Sequence, residues 1–306
     1  VPKVVANGIE IHYQQAGQGQ DLVLIHGVTG DLSAWYIGVM PLLAKEFRVT
    51  AYDLRGHGYS EATPSGYTSA HMAADLDALM ENLGIKKAHI VGHSFGASIA
   101  LHTAALYPDR VASLVLADPG LAALQPFIDL TQWPYLRDSQ ALLKKRGLSI
   151  PDDKFSDLVY IARQSLSAPR LFPFGLRKLA ERSNRRLQRL LDTTTALTEA
   201  QEVAGLTVER IAEVRQPTLV IFGETSRWLQ TAPRLQAAMP NCRVATVKKA
   251  AHFFALSKPK VLVRHVRKFL KELSGASNGC GGSFTLHDAD SERHLSGRSC
   301  ASEPAR

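Results

Sequence analysis

Gly92-His93-Ser94-Phe95-Gly96 stands between a short apolar run, His89-Ile90-Val91, and an alanine-rich stretch, Phe95 to Tyr107, with the character of a helix. A serine on a tight strand-to-helix turn is held in a strained backbone with its hydroxyl projecting above the sheet edge. Gly92 and Gly96 leave room for the turn, where a side chain would collide with the neighbouring strand or helix. The helix start also brings a positive partial charge close to that hydroxyl. G-x-S-x-G by itself is a weak signal. Between a strand and a helix it is much stronger, and it makes Ser94 the candidate nucleophile.

On the N-terminal side, strand-like and helix-like segments alternate. Ile9 to Gln15 is expected to be an early strand, Leu22 to Ile25 a buried one, and Phe47 to Tyr52 another. Between them and His89-Ile90-Val91, Ser69 to Asn82 predicts a helix, with Met72, Leu76, Leu79, Met80 and Leu83 on one face. Val111 to Ala117 is a further buried strand. Short apolar strands alternating with helices argue for a parallel sheet covered on both faces.

The alternation breaks near Gly120. From 120 to 214 the sequence is helical but irregular, punctuated by Pro126, Pro134, Pro151, Pro169 and Pro173. The expectation is a helical cap over 120–214, inserted into a core made of 1–119 and 215–274. Strands return at Thr218 to Phe222 and Arg243 to Val247, and Lys258 to Leu273 closes as an amphipathic helix. Residues 275–306 are rich in Gly and Ser with few large apolar side chains, and are expected to be a disordered tail.

Two further segments carry chemistry. His26-Gly27-Val28-Thr29-Gly30 follows the strand Leu22 to Ile25. Acyl transfer needs two backbone donors aimed at the carbonyl oxygen as it becomes negative, and the N–H groups of Val28 and Phe95 are the candidates. A plain strand-ending turn is the alternative for His26-Gly27. The base must come late in the chain, and His252, in K-A-A-H-F-F-A-L, is expected on a loop at the sheet edge from which Ser94 emerges. His12, His57, His71, His89, His93, His102 and His265 lack such a setting and are expected to be structural or exposed, with His93 and His57 the ones that could line the site.

The order H-G-V-T-G, then Tyr52 to Ser60 (Y-D-L-R-G-H-G-Y-S), G-H-S-F-G and a late A-H-F-F resembles the α/β-hydrolase superfamily. Within it, the chain is similar to capped bacterial carboxylesterases, lactonases and cofactor-free haloperoxidases, over about residues 8–273. The resemblance implies an α/β-hydrolase fold with a mostly parallel central sheet, helices on both faces and an inserted cap. It also implies Ser94 as nucleophile, His252 as base, and Phe95 and Val28 as oxyanion donors. One element departs from the pattern. The family's acid usually stands in G-x-x-D after the strand that follows the cap, and here the segment is F-G-E-T-S-R-W, with Ser226 at the aspartate position. A neutral hydroxyl cannot stabilise an imidazolium as a carboxylate does. Asp118, directly after Val111 to Ala117, is the expected acid, an arrangement that certain haloalkane dehalogenases share. Glu224 is the alternative, and no acid at all the third possibility.

The expected activity is hydrolysis of small to medium carboxylic esters, including lactones. Phe127, Trp133, Tyr135, Tyr160, Phe172 and Phe174 are available to line an acyl pocket or to form the cap's own core. Two other outcomes stay open: peroxide-dependent perhydrolase or haloperoxidase chemistry on the same Ser94 and His252, and a non-catalytic ligand-binding homologue. With 45% hydrophobic and 21% charged residues the chain is too apolar to be disordered as a whole. No apolar run approaches the roughly 18 residues of a membrane span. The first ten residues lack the apolar stretch of a secretory signal, and the cytoplasm is the expected compartment. Cys242, Cys280 and Cys300 have neither metal-ligand nor disulfide-framework spacing, so no metal and no cofactor is expected. The net charge of +8 is concentrated between Arg137 and Arg189, with 13 Lys or Arg against 5 Asp or Glu. No nucleic-acid motif accompanies it, so a solvated face is preferred to a nucleic-acid surface. The expected partner is a small ester, and the oligomeric state is left open.

Overall fold

The computed structural model describes residues 1–145, 147–166 and 177–276. The chain divides into two units, Val1–Arg267, which holds the whole sheet, and Lys268–Arg306, which begins inside the last helix. The eight strands are β1 (Lys3–Ala6), β2 (Ile9–Ala16), β3 (Asp21–Ile25), β4 (Arg48–Tyr52), β5 (Ala88–His93), β6 (Val111–Ala117), β7 (Thr218–Gly223) and β8 (Cys242–Val247). Their order in the sheet is β1-β2-β4-β3-β5-β6-β7-β8. β2 pairs antiparallel with β1 and β4, and the six strands from β4 to β8 run parallel. The mostly parallel sheet expected from the sequence is present. β1 was not foreseen; it is the first arm of a hairpin turned by Asn7 (φ +49°) and Gly8 (φ +78°), a dipeptide suited to positive φ at both turn positions.

The strands are buried runs because helices cover both faces. Every residue of β7 is buried, as are the last five of β6. Seven α-helices longer than five residues occur among the described residues: α1 (Ser69–Asn82), α2 (Phe95–Leu106), α3 (Leu136–Lys145), α4 (Leu158–Leu166), α5 (Arg177–Thr193), α6 (Ala232–Ala238) and α7 (Pro259–Ala276). Thr68 caps α1, its hydroxyl accepting from His71 N–H at 3.2 Å, and Met72, Leu76, Leu79 and Met80 bury one face. α2 is buried along its first ten residues, where small side chains (Gly96, Ala97, Ser98, Ala100, Ala104) alternate with Phe95, Ile99 and Leu101.

Between β6 and β7 the chain forms short 3₁₀ turns, α3, α4, α5 and two further one-turn helices. Trp133, Leu136, Ile150 and Phe155 form a separate apolar cluster there, with Tyr135 and Tyr160 packed on it. Phe127 is 40% exposed, with the Arg234 guanidinium 3.6 Å from its ring centre. Of the aromatics considered for an acyl pocket, three therefore belong to this cluster and one faces out. Phe172 and Phe174 lie outside the described residues, as does the tail from 277 onward; α7 runs two residues beyond the boundary expected at 274. No helix among the described residues is long and apolar enough to cross a membrane.

Gly96 is one of the tight points of the core. A Cβ there would lie 2.4 Å from the Ile25 carbonyl oxygen and 2.5 Å from that of His26. Gly96→Ala, a change that ordinarily stabilises a helix, should here lower the melting temperature by about 10 °C or more, or prevent soluble expression. A thermal melt of the purified variant checks this, and an unchanged melting temperature would contradict the packing described.

Candidate active site

Ser94 follows β5 directly and has φ +55° and ψ −118°, a conformation that side chains rarely adopt. Parallel register decides what it meets. His93 of β5 pairs with Ala117 of β6, so the residues after them, Ser94 and Asp118, leave adjacent strands at the same edge. Ser94 N–H donates to Ala117 O at 3.0 Å, and Asp118 N–H to Ile221 O of β7 at 2.7 Å. Asp118 also has a positive φ, +48°. Gly92 is required because its Cβ would fall 2.3 Å from Gly96 O.

His252 lies between the two side chains. Its Nε2 is 3.0 Å from Ser94 Oγ and its Nδ1 is 2.6 Å from Asp118 Oδ2. The carboxylate oxygen accepts a hydrogen bond from Nδ1–H, which keeps the proton on Nδ1 and leaves the Nε2 lone pair directed at the serine hydroxyl. Asp118 is fully buried. Its Oδ1 accepts from Gly223 N–H at 2.9 Å, and its Oδ2 also accepts from the Ser226 hydroxyl at 2.5 Å. The structure thus brings Ser94, His252 and Asp118 together. Glu224 is directed elsewhere, its Oε2 accepting from Lys249 N–H at 2.7 Å.

The loop after β3 lies against the serine. A Cβ on Gly27 would be 3.2 Å from Ser94 Cβ, so the Gly27–Val28 peptide passes beside the nucleophile position. Phe95 is the first residue of α2, and its N–H has no acceptor within the helix. The loop is held from behind by histidines. Leu54 N–H donates to His26 Nε2 at 3.0 Å, so the His26 proton sits on Nδ1, which donates to Gly27 O at 2.8 Å. His57 bridges two carbonyls, with Nε2 2.5 Å from Val28 O and Nδ1 2.7 Å from Arg55 O. Asp53, in the motif Tyr52 to Ser60, accepts from Leu32 N–H, Tyr59 N–H and His12 Nδ1, so that motif anchors the loop after β3. Burial, with His57 adding to it, lowers the His26 pKa to about 4.

Sequence reading left His93 only as a residue that could line the site, and the structure shows what it does there. Its Nε2 donates to the backbone oxygen of His252 at 2.9 Å, and the two rings lie 5.1 Å apart. Burial, then the neighbouring His252, lowers its pKa to about 4. Ser226 was noted only as a missing acid; its hydroxyl in fact grips Asp118. Either role follows from a contact between distant segments, which no local signal announces. Open clefts flank the site. One is lined by Thr29, Gly30, His57, Arg186 and Leu190, and the other by Phe95, Leu121, Val203 and Leu206. Among the described residues no cluster of His, Cys, Asp or Glu could hold a metal.

A family model described as alpha/beta hydrolase fold matches residues 22–259. The chain is 30% identical over 258 residues to the dihydrolipoyllysine-residue acetyltransferase component of the acetoin cleaving system of Cupriavidus necator, covering 82% of this chain but only 64% of that protein. It is 27% identical over 276 residues to the 2-(acetamidomethylene)succinate hydrolase of Mesorhizobium japonicum, covering 86% of this chain and 92% of that one. Among solved structures, the enol-lactonase from Burkholderia xenovorans LB400 superposes with a TM-score of 0.64 at 24% identity, over 88% of this chain and 100% of that one. At that identity the likeness is one of fold.

The two depressed imidazoles make stability depend on pH. In the folded state His26 and His93 stay neutral down to about pH 4, whereas in the unfolded chain they protonate near 6.5. Between those values the unfolded state binds more protons, so stability is full above about pH 6.5 and falls as pH drops toward 4. The loss is on the order of a few kcal/mol per imidazole. Thermal melts should be level from pH 7 to 8 and decline steadily below 6.5; a melting temperature unchanged at pH 4.5 would show that these rings are not buried and neutral.

Proposed function

This chain belongs to the α/β hydrolase fold family, and from that premise we propose that it is a serine hydrolase cleaving carboxylic esters, lactones included, through an acyl-enzyme on Ser94. The observation that carries the reading is His252 placed at hydrogen-bond distance from both Ser94 Oγ and the buried Asp118. Ser94 Oγ attacks the ester carbonyl carbon while its proton passes to His252 Nε2. The oxygen that becomes negative is met by the N–H groups of Val28 and Phe95. The C–O bond then breaks, and the alcohol leaves with the proton from His252. Water repeats the sequence, giving up a proton to His252 as it attacks the acyl carbon; Ser94 regains its proton and the carboxylic acid departs. Asp118 holds the imidazole in the tautomer that both steps need. We read the segment between β6 and β7 as the cap over this site. Two of the similar proteins are named for hydrolysis of small molecules, an enol-lactone and 2-(acetamidomethylene)succinate, which supports a small-molecule substrate. The acetyl transfer in the name of the third would need an acceptor other than water on the same acyl-enzyme.

Ser94→Ala should lower turnover of p-nitrophenyl acetate by about 10⁶ and abolish labelling by a fluorophosphonate probe without changing the melting temperature. A variant that kept a tenth of the activity would sink the reading. A wild-type protein that the probe does not label would favour a ligand-binding homologue.

For the acid, Asp118→Asn should cost at least about 10² in kcat, against about 10⁴ for the equivalent change in a protease triad. Glu224→Gln should cost less than about tenfold, because its carboxylate faces Lys249 N–H, and Ser226→Ala should fall between the two, since one of three donors to Asp118 is lost. Steady-state kinetics on the same ester rank them; the reverse order of the first two would assign the role to Glu224.

A further inference from the structure

Arg227 opens the 3₁₀ turn Arg227–Thr231 that follows β7, one position after the serine that grips Asp118. Its guanidinium lies 5.1 Å from the centre of the Trp228 ring, and that ring is 6.5 Å from the ring of His252. Nη1 donates to the carbonyl oxygen of Phe155, in the apolar cluster between β6 and β7. The group is largely withdrawn from water, and that burial lowers its pKa to about 10.

What sets Arg227 apart is the missing counter-charge. Arg48, Arg55, Arg110, Arg186, Arg210 and Arg267 each face a carboxylate at ion-pair distance. Arg227 has no carboxylate at ion-pair distance among the described residues; Asp118 acts on it only from farther off, its oxygens being hydrogen-bonded to His252, Ser226 and Gly223. A desolvated cation without an anion costs several kcal/mol, and one carbonyl uses only one of its five N–H donors. A second unmatched donor lies in the same cluster. The Trp133 indole N–H is buried with no acceptor among the described residues, and its ring is 5.8 Å from that of Phe155.

We propose that Arg227 is the anion-binding end of the substrate site, and that the preferred substrates are monoesters of short dicarboxylic acids. The inference rests on the hydrolase reading above. The free carboxylate pairs with the guanidinium fork, which matches it with two parallel hydrogen bonds, while the ester carbonyl lies at Ser94. The acyl half is the part that remains on Ser94 through acylation and deacylation, so an anchor on that half holds the reacting carbon through both steps.

The test compares mono-p-nitrophenyl glutarate with p-nitrophenyl pentanoate, an ester of the same acyl length without the charge. In the wild-type protein the ratio of their kcat/KM values should favour the glutarate by about tenfold or more, the worth of one charge-assisted hydrogen-bonded pair. Arg227→Met should lower that ratio by about tenfold, and Arg227→Lys, which keeps the charge but loses the fork, should lie between. A wild-type ratio of one or below overturns the inference without needing any variant to fold, as does a ratio that Arg227→Met leaves unchanged. If the pentanoate is turned over and Ser94 is labelled while the glutarate is not preferred, the hydrolase reading stands and the anion site falls. If neither ester is turned over and Ser94 is not labelled, both fall together.

Discussion

A carboxyl group with no exposure to water has to find its hydrogen bonds inside the protein, and Asp118 finds three, from Gly223 N–H, the Ser226 hydroxyl and His252 Nδ1. Those donors come from the end of β7, the turn after it, and the loop that follows β8. One buried side chain therefore draws three chain segments to the end of β6, the strand beside the one that carries Ser94. Removing any donor leaves the others to hold a group that water cannot reach, so the loops are fixed by the same contacts that align the imidazole.

Two of the five non-glycine residues with positive φ among the described residues lie at these contacts. Ser94 and Asp118 both have positive φ, and they occupy equivalent places one step past the end of neighbouring parallel strands. Each conformation costs on the order of 1–3 kcal/mol. Each is offset by a backbone hydrogen bond across the sheet, Ser94 N–H to Ala117 O and Asp118 N–H to Ile221 O. The turn that exposes Ser94 and the turn that exposes Asp118 are thus one device used twice.

Much of this was legible in the sequence because it depends on local rules. Buried apolar runs gave away the parallel strands, and the strand–serine–helix order picked out Ser94. The absence of a carboxylate at position 226 pointed to Asp118, since adjacent parallel strands must end at one edge. What stayed hidden depends on contacts between segments far apart in the chain. Nothing near His93 announces that it holds the His252 carbonyl, and nothing near Trp133 announces that it packs with Phe155 in a cluster of its own. The Asn7-Gly8 turn was readable as a hairpin signal, and β1 follows from it.

The position of the acid has a consequence for how this protein can diverge. Where the acid stands on the turn after β7, each insertion or substitution in that turn displaces the proton relay. On the proposed reading the relay runs between the ends of β5 and β6 and the loop carrying His252, and the turn after β7 hydrogen-bonds to it through the Ser226 hydroxyl and the Gly223 amide. From Arg227 onward the turn is released from proton transfer. On that reading it can change its length and charge while the strand ends that carry Ser94 and Asp118 stay as they are.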